Sequence, residues 1–138
     1  MSVFIPVKGC AMKLSILLIL AFALASCLPI PGLFYIGQLD SHDQGIFREA
    51  ASIEGVETVD WPAPGAWVVA YGAPTHENAI TAPGIIFIRK SPQWDGECTR
   101  DQMFLSTARH EIGHTKGKLD MHGTDSVMND PTPCYPED

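Results

Sequence analysis

The feature that most constrains this chain is the run from His110 to His114, which reads His-Glu-Ile-Gly-His. Residues four apart lie on one face of a helix, so a helix would bring both imidazoles to one metal ion, with the intervening glutamate beside it. Thr99 and Gln102 have the spacing of a capping box, and Gly117 suits the position just after a helix. These signals predict a helix that begins near Thr99 and ends before Gly117.

A third ligand type and a methionine follow this predicted helix. Asp120 lies three residues after Gly117, and Ser-Val-Met ends at Met128. The pattern resembles the HExxHxxGxxH signature and Met-turn of the metzincin zinc proteases, in the snapalysin-like form that has an aspartate as third ligand. The resemblance implies an α+β fold: a small zincin domain with a mixed twisted sheet, a first helix, an active-site helix and a C-terminal Met-turn segment.

The resemblance also implies a zinc-dependent endopeptidase with one catalytic Zn²⁺ held by His110, His114 and Asp120. Glu111 would be the general base for a metal-activated water, and the peptide or protein substrate would lie along an edge strand. His122 is the alternative third ligand. A second interpretation is an exported zinc-binding envelope protein without activity, whose structural site is closed by His122 as a fourth protein ligand.

Five other side chains in the sequence are candidates of a weaker kind or are set apart from the site. By family resemblance, Tyr135 is a candidate donor to the oxyanion, and Met128 is expected to pack beneath the ligand histidines. A gluzincin-type ligand would have to be Glu137, in a proline-rich tail, which makes that assignment weak. His42 and His76 are predicted to be ordinary surface or loop histidines.

The N-terminus predicts export. Residues 14–25 form an apolar block that follows Lys13, too short to span a bilayer comfortably and typical of a signal peptide. Residues 24–27 (Leu-Ala-Ser-Cys) fit a bacterial lipobox, which predicts a cell-envelope lipoprotein attached to the membrane through lipidated Cys27. Residues 23–25 (Ala-Leu-Ala) fit ordinary cleavage, which predicts a secreted or periplasmic protein. The two alternatives stay open.

On this interpretation residues 1–26 are the signal peptide, 27–32 a proline-rich tether and 33–138 the metzincin-like catalytic domain. Residues 1–11 are interpreted as an upstream extension, because Met-Lys at 12–13 is a more typical start.

Cysteine usage and charge limit the partners. An exported protein can form disulfides, so Cys98 and Cys134 are predicted to pair, with two free thiols as the alternative. The net charge of −7 opposes binding to nucleic acid or anionic lipid headgroups, so any membrane attachment would depend on acyl chains at Cys27. We expect a monomer.

The remaining segments predict strands and one more helix. A capping-box spacing at Ser41 predicts a first helix that ends before Gly55. Alternation predicts a strand from Val56 to Trp61, and apolar runs predict strands from Leu33 to Ile36, Trp67 to Tyr71 and Ile85 to Arg89. The continuous apolar runs suggest burial on both faces. The last of these, or the predicted loop 72–84 before it, is the expected edge. Lys116 and Lys118 replace residues that are apolar in the family, and Leu119 is expected to supply that packing.

Overall fold

The computed structural model describes residues 32–74, 76–93, 98–123, 126–129 and 132–134. Within these ranges it is a small mixed α/β domain, compatible with the predicted α+β class. Its elements, in chain order, are β1 (Leu33–Tyr35), α1 (Ser41–Ile53), β2 (Glu57–Val59), β3 (Trp67–Tyr71), β4 (Ala79–Ala82), β5 (Ile85–Ile88) and α2 (Arg100–Thr115). The predicted signal peptide, Cys27, most of the tether and Tyr135 lie outside the described residues.

The five strands form one mixed sheet in the order β2-β1-β3-β5-β4. Neighbours are parallel except β4, which lies at one edge and runs antiparallel to β5. Pro83 and Gly84 connect β4 to β5 in a two-residue turn, and Gly84 has the positive φ of +79° that such a turn needs. The prediction of a loop over 72–84 was therefore wrong for Ala79–Ala82. The edge strand lies in this segment, and Ile85–Ile88 is an inner strand.

Both helices pack against one face of the sheet. Val69 and Ile86 are register partners on this face, and both are fully buried. They belong to a core that also contains Phe34, Ile36, Leu39, Phe47, Ala50, Ala51, Ile88, Phe104, Ala108 and Ile112. Along β5, Ile86 and Ile88 are buried, whereas Ile85 and Phe87, which alternate with them, are half-buried. The prediction that the strands are buried on both faces was wrong, because only one face is covered by helices.

A buried ion pair joins the N-terminal ends of the two helices. Asp43 is 1% exposed, and Arg100 donates to both of its carboxylate oxygens, with 2.7 Å from Nη2 to Oδ2. The Tyr71 hydroxyl also donates to this carboxylate; burial and this hydrogen bond raise the pKa of Tyr71. The N-cap of α1 is Asp40, not the predicted Ser41, because the Asp40 carboxylate accepts from the Asp43 backbone. These contacts fix the start of α2 against α1.

The predicted cysteine pair is brought together. Cys98 and Cys134 form a disulfide with their Cα atoms 5.9 Å apart, and the Ser106 hydroxyl donates to the Cys134 carbonyl at 2.8 Å. The chain at Cys134 is thus tied to the start and the middle of α2. Among the described residues, no helix has the length and apolar character needed to cross a membrane.

Replacing both Cys98 and Cys134 by Ser is expected to destabilise the fold. The pair closes a loop of 36 residues, and the loop-entropy relation gives about 3–4 kcal/mol for a loop of that size. Urea unfolding of the oxidised parent and of the double variant measures the difference. Reduced parent protein is the control and should match the variant. A difference below about 1 kcal/mol would contradict the expectation.

Candidate metal centre

Helix α2 carries three of the predicted site residues and has the predicted ends. The Thr99 side chain accepts from the backbone N–H of Gln102, and the Gln102 side chain accepts from the backbone of Thr99, which completes a capping box. Gly117 follows the C-cap with φ +80°, as expected for that position. Between these ends, His110 and His114 line a cleft of about 550 Å³ between α2 and the β4 edge.

Two imidazoles and one carboxylate meet at the floor of this cleft. Nε2 of His110 lies 2.9 Å from Nε2 of His114. Oδ1 of Asp120 lies 3.0 Å from the first nitrogen and 3.1 Å from the second. The three atoms form a nearly equilateral triangle. The residues predicted as ligands are therefore brought together, with Asp120 reaching back from beyond Gly117.

The hydrogen bonds behind the imidazoles determine which nitrogens carry protons. Nδ1 of His110 lies 2.9 Å from the Val127 carbonyl, and Nδ1 of His114 lies 3.0 Å from the Lys118 carbonyl. A carbonyl only accepts, so each Nδ1 must be the donor, and a neutral ring then presents a lone pair at Nε2. This is the outer hydrogen bond that metal-binding histidines typically make. Three lone pairs thus face one point, an arrangement that a cation would stabilise.

Two other side chains compete for the third position. Glu111 belongs, with both histidines, to a group whose ligand atoms lie within 4.8 Å of one another. Oδ1 of Asp120 lies 3.0–3.1 Å from both Nε2 atoms, and the Thr81 hydroxyl already holds one oxygen of Glu111, which favours Asp120 as the candidate for the third position. His122 is exposed.

Glu111 is buried beside the triangle and is oriented by the edge strand. It is 4% exposed, and the Thr81 hydroxyl of β4 donates to its Oε2 at 2.6 Å. Burial raises the pKa of the Glu111 carboxyl, while the Thr81 hydrogen bond and the two imidazoles oppose this change. Sequence reasoning missed Thr81, because a threonine in a predicted loop carries no signal of its partner.

Met128 is buried against helix α2. It is 2% exposed, and a Cβ atom added at Gly113 would overlap its sulfur. The Met128 carbonyl accepts from the backbone of Met121 at 2.8 Å, and the Ser126 hydroxyl accepts from the backbone of Met128. The chain just after Asp120 is thereby joined to the segment that contains Met128. Gly113 permits the close approach of helix and sulfur.

Four other predictions concern single residues. His42 is an exposed surface histidine, as predicted, and lies 2.9 Å from Asp101, and His76 is an exposed residue outside the helices and strands, on the wall of the cleft. Leu119 is 82% exposed, so the expectation that it packs beneath the site was wrong. Tyr135, the candidate oxyanion donor, lies outside the described residues.

Comparison with known proteins gave no relative: no family model, no curated protein and no solved structure matches this chain. The interpretation of the cleft therefore depends on its own geometry.

Changing Gly113 to Ala is expected to destabilise the protein, since the methyl group would displace the Met128 sulfur. Overpacking a core costs about 1–3 kcal/mol, which outweighs the gain of about 1 kcal/mol in helix propensity. Gly45→Ala in α1 is the matched control, because nothing lies within 4 Å of its added Cβ, and it should stabilise. Thermal unfolding of both variants tests this. Equal stabilisation by both would refute the close contact.

Proposed function

We propose that this protein is a zinc-dependent endopeptidase of the metzincin type. The observation that supports it best is the triangle of Nε2 of His110, Nε2 of His114 and Oδ1 of Asp120, with both imidazoles donating from Nδ1 to backbone carbonyls. Two histidines and one carboxylate are a ligand set of catalytic zinc sites, which leave a fourth position open. His110, His114 and Asp120 would hold the ion.

The buried glutamate suits the general-base role. When bound, zinc supplies a Lewis acid that polarises the scissile carbonyl and makes a water more acidic. Glu111 accepts the proton of the attacking water at the oxygen that Thr81 leaves free, and later gives it to the leaving nitrogen. Thr81 keeps the other oxygen turned away from this exchange. A carboxylate in this position is not needed to hold a structural ion, so it favours catalysis over the non-catalytic alternative.

The edge strand offers a place for an extended peptide. β4 ends the sheet on the cleft side, and Ala79, Ile80 and Thr81 line the cleft opposite α2. A peptide that pairs with this edge would pass over the metal site, held by backbone hydrogen bonds that do not depend on its sequence. The substrate class is therefore a peptide or an unfolded protein segment. Export and attachment through Cys27 remain predictions from the sequence.

Glu111→Gln is expected to keep zinc and lose turnover. Loss of a general base lowers the rate by roughly 10²–10⁴-fold, while the ligands are untouched. Casein cleavage by the full chain, with zinc content measured on each protein, tests this. Glu49→Gln, at an exposed position of α1, is the matched control and should cleave normally. A full chain that binds zinc but cleaves nothing would contradict the proposal and favour the non-catalytic alternative.

The third ligand can be tested by two alanine variants. Asp120→Ala should weaken zinc binding by more than the roughly 10–100-fold that loss of an outer hydrogen-bond partner costs. His122→Ala should leave zinc affinity as in the parent. Competition with a chromophoric chelator measures both dissociation constants. The reverse result would assign the third position to His122, and losses in both variants would indicate the closed structural site.

A further inference from the structure

A second cluster of charges lies behind the metal site, around Glu54. Glu54 is the C-cap residue of α1, and its side chain is only 8% exposed. Arg109, next to His110 in α2, donates from Nε to Oε1 at 2.9 Å. Lys116 donates from Nζ to the Glu54 carbonyl and lies 3.4 Å from Oε2, and Nζ of Lys118 lies 4.0 Å from the same oxygen. One buried carboxylate thus meets three cations.

Two of these cations belong to the segment that carries the third ligand. Lys116 and Lys118 flank Gly117, where the chain turns with φ +80°, and Asp120 lies two residues after Lys118. The Lys118 carbonyl is the acceptor for Nδ1 of His114. A movement of this segment away from Glu54 would therefore change both the orientation of the His114 ring and the position of Asp120.

Apolar packing contributes little to holding this segment. Leu119 is 82% exposed, Met121 is 45% exposed and the Asp120 side chain is 47% exposed. The far end is joined to Met128 through the backbone of Met121. At the near end, the lysine contacts with Glu54 supplement the backbone hydrogen bonds that Lys116 and Lys118 donate to the Gly113 carbonyl. An ion pair with a buried carboxylate is screened less by salt than a fully exposed pair.

We propose that Glu54 is a positioning residue for the metal centre: through Lys116 and Lys118 it holds the segment after α2 so that Asp120 and His114 face the same ion as His110. The inference rests on the proposed zinc site and adds a residue of α1, outside the cleft, to its support. Glu54 does not contact the ion or the substrate.

A double-mutant cycle on zinc affinity tests the positioning role of Glu54. The proteins are the full chain, Glu54→Gln, Lys116→Met and the double variant. Gln keeps an oxygen that can accept from Arg109, which limits the damage to the fold. Each single variant should bind zinc about ten-fold more weakly than the parent, within the range found for outer partners of metal ligands. Lys116→Met removes the contacts to both the carbonyl and the carboxylate of Glu54, whereas Glu54→Gln removes only the charge pair, so the double variant should match Lys116→Met and the losses should be less than additive.

Three controls separate this role from general stability. Lys90→Met removes an exposed ion pair with Asp40, far from the segment in sequence, and should leave zinc affinity unchanged. Lys116→Arg keeps a cation and its donors and should restore most of the affinity. The visible absorption of the Co²⁺-loaded proteins should change in Lys116→Met but not in Lys90→Met. Thermal unfolding without metal identifies any variant that has lost its fold.

The outcomes distinguish the two proposals. If the full chain binds no zinc, the proposed function and the positioning role of Glu54 both fail. If it binds zinc and Lys116→Met matches Lys90→Met in zinc affinity and in the Co²⁺ spectrum, the positioning role of Glu54 alone is overturned. Strictly additive losses in the double variant would also overturn it, because they would show that Lys116 does not act through the Glu54 carboxylate.

Discussion

The approach of three electron-pair donors to within 2.9–3.1 Å of one another is the constraint on which the rest of the site depends. Two imidazole nitrogens and a carboxylate oxygen repel each other at this distance unless a positive charge lies among them. They must therefore be held from behind before a cation arrives. The Val127 and Lys118 carbonyls hold the imidazoles, and Met128 packs against the helix at Gly113.

Helix α2 has two faces that do different work. Phe104, Ala108 and Ile112 enter the core that covers the sheet, while His110 and His114 line the cleft. Rotation of the helix about its axis would remove the first set from the core, so burial of apolar surface fixes the direction of the imidazoles. The ion pair of its first residue with Asp43 and the disulfide near its start add further restraints at that end. The packing of the apolar core thus fixes the orientation of the two imidazoles in the site.

The parts of the site that sequence could predict are those determined by local rules. Helical spacing places His110 and His114 together, and the capping box and Gly117 mark the ends of α2. β4 was missed, because Ala79–Ala82 is only four residues long, begins and ends with alanine, and becomes a strand by pairing with β5. The partial exposure of one sheet face was missed for a related reason. Apolar strand residues such as Ile85 do not reveal whether a helix covers them.

The segment that carries Asp120 shows how charge can replace apolar packing. Where the resemblance predicts apolar residues, this chain has Lys116 and Lys118, and Leu119 is exposed instead of packed below the site. Both lysines extend to Glu54, whose burial would be unfavourable without such partners. An apolar contact tolerates small shifts in any direction, whereas a hydrogen-bonded ion pair also defines where its partners lie. A side chain as exposed as Asp120 has little packing of its own, so a directional anchor on the preceding residues is the more effective way to keep its carboxylate near the histidines.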